Sequence, residues 1–104
     1  VVSVVNWQVK LTDQAEAELK KLLSAGLVTK ADVKILLLWV DEMEEFGPSY
    51  IAASKDWHDH ELEKAWTGYR SSAFSKAGRV IYKVRDRKIT VEVHRVTADH
   101  NYKK

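Results

Sequence analysis

The stretch WTGYRSSAFSKAGRVIYKVRDRKITVEVHRV, running from Trp66 to Val96, decides the fold. Its apolar residues return at every second position, the period of a strand with one buried face. Val80, Tyr82 and Val84 oppose Arg79, Ile81 and Lys83; Ile89, Val91 and Val93 oppose Thr90, Glu92 and His94. A loop around Ser75 to Gly78 and a tight polar turn at Arg85-Asp86-Arg87 interrupt the pattern. The segment therefore reads as a three-strand meander: Trp66 to about Ala73, Arg79 to Val84, and Lys88 to Val96. The apolar sets must face whatever covers the sheet, which places Tyr82 in the core. If the same registration holds on the first strand of the meander, Arg70 and Ser72 join Arg79 and Lys83 on a solvent-facing cationic surface.

Toward the N-terminus, Val4 to Leu11 alternate in the same way, with Val5, Trp7, Val9 and Leu11 against Asn6, Gln8 and Lys10. Thr12 then offers a hydroxyl cap ahead of Asp13, Glu16 and Glu18, acids suited to the positive end of a helix, and Gly26 supplies the stop. Thr29 caps a longer helix through about Phe46, with Val33, Leu36, Val40 and Met43 on one face and Gly47-Pro48 as its end. The apolar stripe, widened by Leu37, Leu38 and Trp39, predicts a largely buried helix with a core role. Pro48 to Lys64 suits a short helix or loop. The order strand, helix, helix and three strands implies an α+β fold: two helices packed on one face of a mainly antiparallel four-stranded sheet.

With 104 residues and 45% hydrophobic composition, the chain can bury one core, so a single domain over 1–104 is expected. It has no cysteine, which excludes a disulfide framework and points to the cytoplasm. The longest apolar run, Ile35 to Val40, is far short of the roughly 20 residues of a membrane span, and Val1 to Val5 lack the basic region of a secretory signal.

The net charge is only +2, but it is unevenly placed. Residues 1–47 carry five Lys/Arg against eight Asp/Glu, and residues 64–104 carry eleven against three. A basic C-terminal half is the footprint of a surface that meets phosphates, or else a solvated lysine-rich surface.

Asp59-His60-Glu61-Leu62, Trp66-Thr67-Gly68-Tyr69-Arg70, Arg79-Val80-Ile81-Tyr82-Lys83-Val84 and Val96-Thr97-Ala98-Asp99-His100-Asn101-Tyr102 together resemble the RelE/ParE toxin superfamily, especially its YafQ-like ribonucleases. The likeness is closest over residues 55–102; for residues 1–54 it rests on the order of elements. The resemblance implies the toxin of a toxin–antitoxin pair: a metal-independent, cofactor-free endoribonuclease that cleaves mRNA, often on the ribosome, and is held off by a cognate antitoxin protein. Such cleavage uses the substrate's own 2′-hydroxyl as nucleophile, so the protein must supply a base, an acid and cations for the phosphate.

On the matching positions, His60 and His100 are the expected proton-transfer residues, Arg79 the grip on the scissile phosphate, and Tyr102 a C-terminal aromatic that stacks on a base or aids catalysis. Arg70, Ser72 and Lys83 are expected to bind RNA. Ala73 and Ala77 depart from the pattern, standing where the YafQ-like branch carries a further histidine and an aspartate. His58, Asp59 and His60 could also be read as metal ligands, but His-x-His without a third partner at helical spacing is a weak signal. Two rival functions share the fold: a ParE-like protein that poisons DNA gyrase without chemistry, and an inactive RNA-binding relative.

Overall fold

The computed structural model describes residues 7–85 and 90–98. The expectations made for Val4 to Asn6, for most of the turn at Arg85-Asp86-Arg87, and for His100 and Tyr102 lie outside these residues. The order of elements is β1 (Gln8–Leu11), α1 (Asp13–Ser24), α2 (Lys30–Phe46), α3 (Pro48–Ala53), β2 (His60–Glu61), a 3₁₀ turn at Lys64–Trp66, β3 (Arg70–Ala73), β4 (Arg79–Arg85) and β5 (Thr90–Thr97).

The helix starts follow from their caps. Thr12 Oγ1 accepts the Ala15 amide at 3.2 Å. Thr29 and Asp32 form a reciprocal capping box, Thr29 Oγ1 accepting from the Asp32 amide at 3.1 Å and Asp32 Oδ2 from the Thr29 amide at 2.9 Å. Gly47 ends α2 with φ of 87°, a left-handed value that favours glycine; a Cβ there would lie 2.5 Å from Trp7 Nε1. Both a side chain's size and its backbone preference are excluded at that corner.

The strands form one sheet in the order β1-β5-β4-β3-β2. β1 runs parallel to β5, and the other pairs are antiparallel. This is the expected α+β architecture, a mainly antiparallel sheet covered by helices, extended by the two-residue strand β2 and the short helix α3. Where the first strand turns away into α1, side-chain and backbone groups take over its pairing. The Thr12 amide donates to the Val93 carbonyl at 2.9 Å, and Glu18 Oε1 accepts the Val96 amide at 3.0 Å, so the β5 edge keeps partners past β1.

The core lies between sheet and helices: Ala15, Leu36, Trp39, Met43, Ile51 and Trp57 pack against Phe74, Val80, Tyr82, Val93 and Val96. Trp39 meets Tyr82 edge-on, with ring centroids 5.4 Å apart. Between Ile81 and Tyr82 the β5 partner jumps from Arg95 to Val93, so His94 is the extra residue of a bulge. That insertion is why Val93 and Val96, three apart, both face the core.

Three expectations need correction. α2 is not largely buried: Leu36, Trp39 and Met43 are inside, but Ile35, Leu37 and Leu38 are 44%, 55% and 47% exposed. A continuous apolar run covers every side of a helix, whereas the sheet can cover only one arc of it. The first strand of the meander begins at Arg70, since Trp66 sits in the 3₁₀ turn and Gly68, at φ 94°, redirects the chain. The predicted register of that strand is also wrong, as described below. No helix among the described residues is long and apolar enough to cross a membrane.

Candidate nucleic-acid interface

Residues paired directly across antiparallel strands point to the same side of a sheet. The register pairs Arg70 with Tyr82 and Ser72 with Val80, which puts Arg70 and Ser72 on the helix-facing side. They do not join Arg79 and Lys83. Arg-Ser-Ser-Ala carries no large apolar residue to anchor one face, so alternation alone could not assign its sides.

What holds Arg70 and Ser72 inside is Asp59. Its side chain is fully buried, and it accepts from Arg70 Nε at 2.6 Å, from Ser72 Oγ at 2.6 Å and from the Tyr82 phenol. Burial, then the charge and hydrogen bond of Asp59, push the Tyr82 phenol well above its ordinary value, so it stays a neutral donor. Burial alone would lower the Arg70 guanidinium, but the hydrogen bond and charge of Asp59 outweigh it and the net direction is up. Ser72 is wholly buried and presents no hydroxyl to a ligand. Arg70 keeps 26% of its side chain exposed and reaches Glu61 at 3.3 Å.

The chain is bent into this arrangement at His58, whose left-handed φ of 48° separates buried Trp57 from buried Asp59. Trp57 fixes the segment from both sides: its indole donates to Glu42 of α2 at 3.0 Å and its carbonyl accepts from the Ala73 amide at 2.7 Å. Asp59 is therefore turned inward while His58 and His60 are exposed, and the three do not converge as metal ligands.

The opposite face of the sheet gathers three of the predicted site residues. His60 pairs with Ser71, and Ser71 with Ile81; Arg79 and Lys83 flank Ile81 at two-residue spacing on the same side. Arg79 and Lys83 lie about 13 Å apart along the strand. His60 is exposed, and its Nδ1 lies 3.1 Å from the His58 carbonyl. A carbonyl only accepts, so Nδ1 holds the proton and Nε2 is left as the basic nitrogen. The Arg79 guanidinium folds over the β3–β4 turn, Nη1 donating to the Gly78 carbonyl at 3.0 Å. Lys83 Nζ sits 5.5 Å from the centroid of the Tyr69 ring, which Trp66 contacts edge-on at 5.0 Å. In the centre of the face Ser71 and Ile81 are buried, and the Ser71 hydroxyl has no hydrogen-bond partner among the described residues. Ala73 pairs with Arg79, so the methyl that departs from the YafQ-like pattern stands beside the arginine.

A cleft of about 270 Å³ opens at one end of the sheet, lined by Glu61, Leu62, Thr67, Gly68, Tyr69, Arg70 and Val84. Sequence reasoning missed Asp59 as the organiser of the inner face and Tyr69 as the aromatic beside Lys83. The signal for Asp59 was present: Arg70, Ser72 and Tyr82 are three donors that one register places together, and a buried donor set requires an acceptor.

A mainly antiparallel sheet covered by helices on one side is the fold of RelE/YafQ-like toxins. A metal-bound toxin from Helicobacter pylori matches with a TM-score of 0.70 and 18% identity, over 90% of this chain and 94% of that one. A point mutant of YafQ from E. coli matches at 0.67 and 18%, over 86% and 90%. The YoeB dimer from Staphylococcus aureus matches at 0.66 and 18%, over 93% and 99%. YafQ is also similar to this chain as it stands in the E. coli DinJ–YafQ toxin–antitoxin complex, and YoeB as it stands in the YoeB–YefM complex. At these identities the fold is what is shared. No protein-family model and no curated protein matches the sequence.

Proposed function

We propose that this chain is the toxin of a type II toxin–antitoxin system and an endoribonuclease acting on mRNA at the ribosome. The observation that carries the reading is the outer sheet face, where His60, Arg79, Lys83 and Tyr69 lie together on a fold shared with YafQ and YoeB over nearly the whole chain. Arg79 and Lys83 hold the RNA backbone, and Tyr69 offers a ring for stacking. His60, through Nε2, and His100 exchange protons with the substrate. The 2′-oxygen attacks phosphorus as its proton passes to the base, and the departing 5′-oxygen takes a proton from the acid, leaving a cyclic phosphate. Tyr102 lies beside His100 in sequence and is assigned to the substrate base. His100 and Tyr102 enter on the resemblance alone. A cognate antitoxin holds the activity off, as the complexes of DinJ with YafQ and YefM with YoeB suggest by analogy.

A second reading is favoured by one observation: beside Arg79 the face carries the methyl of Ala73 rather than an imidazole. An RNA-binding relative that does not cleave fits that substitution. The deciding experiment induces the chain in a bacterial host, next to an Arg79→Ala, His100→Ala double variant, and maps mRNA 5′ ends by primer extension within minutes. New ends with the parent alone support the ribonuclease. Growth arrest without new ends redirects the search to gyrase, and RNA binding without arrest or cleavage identifies the inactive relative.

A further inference from the structure

We propose that the exposed side of α2 is the interface of an isologous dimer, with a second copy of this chain packed antiparallel across it. At about 100° per residue, Lys30, Lys34, Leu37, Leu38, Asp41 and Glu45 fall on one arc of the helix, opposite the buried Leu36, Trp39 and Met43. All six are exposed. None of the four charged side chains has an ion-pair partner among the described residues.

Within one copy these charges are badly placed. Lys30 sits in the first turn, at the positive end of the helix, and Glu45 in the last turn, at its negative end, the reverse of what the helix dipole favours. Lys30 with Lys34, and Asp41 with Glu45, are also like-charge pairs four residues apart.

Against an antiparallel copy the same placement becomes complementary. Lys34 and Asp41 lie three positions outside Leu37 and Leu38, and Lys30 and Glu45 lie seven outside them. A twofold axis level with the Leu37–Leu38 peptide therefore brings Lys34 level with Asp41 of the second copy, and Lys30 level with its Glu45. The four leucines meet at the axis, where they lose the exposure that a lone copy leaves them. This is the self-complementarity that a twofold interface requires. One helix face is small against the roughly 800 Å² per partner of a standard interface, so the dimer forms at high concentration and weakens with salt.

The test is analytical ultracentrifugation of the whole chain at low and high salt, with circular dichroism to show that each variant is folded. The parent dimerises at low salt and dissociates as salt rises. Lys34→Glu and Asp41→Lys each set like charges face to face and weaken self-association by about tenfold or more. Mixed in equal amounts, these two variants form a heterodimer, because each new charge then meets its opposite, and the double variant regains self-association. A parent that stays monomeric at low salt, single variants that associate like the parent, or a mixture that does not associate would each overturn the proposal. So would a monomer whose α2 face is protected from exchange only when a cognate antitoxin is added, which would assign the face to that partner.

Discussion

The two faces of one sheet use similar side chains to opposite ends. On the inner face, Arg70, Ser72 and Tyr82 converge on the buried carboxylate of Asp59, so one acceptor satisfies three donors and a charge. On the outer face, Arg79 and Lys83 lean on carbonyls and an aromatic ring, with no buried carboxylate between them among the described residues. The first arrangement holds the fold. The second leaves cationic surface for an anionic ligand. Removing a residue from the inner face should therefore cost stability, and removing one from the outer face should cost function.

The largest effect on stability is expected for Asp59→Ala. It strands the half-buried Arg70 charge and two buried hydroxyls, and the loss should be about 3–5 kcal/mol by chemical denaturation. A loss under about 1 kcal/mol would mean that the cluster is not what holds β3 against the helices. Next comes Tyr82→Phe, which removes one buried hydrogen bond and should cost about 1–2 kcal/mol near neutral pH.

The same substitution tests a pH dependence. The folded-state pKa of Tyr82 is raised, so the folded chain keeps a proton that the unfolded chain loses above about pH 10. Its contribution is complete below that pH and declines as pH rises further. The parent should lose stability on alkaline titration more steeply than Tyr82→Phe; parallel curves would remove the phenol from the account.

Arg79→Ala should change stability by less than about 1 kcal/mol while lowering RNA cleavage by about 100-fold. An unfolded variant, or one with undiminished cleavage, would erase the contrast between the faces. Lys83→Ala should leave stability within about 0.5 kcal/mol of the parent. Its effect should appear in binding to single-stranded RNA, with a log–log salt slope smaller by about one. An unchanged slope would place Lys83 outside the interface.

The long elements were legible because their signals are local. Capping by Thr12 and Thr29, the stop at Gly47-Pro48 and the alternation of β4 belong to neighbouring residues, and each element appears where those signals put it. The candidate site was legible only in part. His60, Arg79 and Lys83 do share a face, but Arg70 and Ser72 were assigned to the wrong side of the sheet. Val96 shows a related limit: strict alternation separates it from Val93, and only the bulge at His94 brings both into the core.

The sequence by itself determined the α+β class, the boundaries of α1 and α2, the core position of Tyr82 and the concentration of basic residues in the C-terminal half. These depend on period, capping chemistry and composition, which act over a few residues. Tertiary structure alone decided that Asp59 is buried beneath Arg70, Ser72 and Tyr82, that the apolar run of α2 is half exposed, and that His60 faces the same way as Arg79. Each of those facts rests on strand register or on how much of a helix the sheet can cover. Register joins residues far apart in the chain, and a shift of one residue exchanges the faces, so no local pattern in Arg70 to Ala73 could settle it.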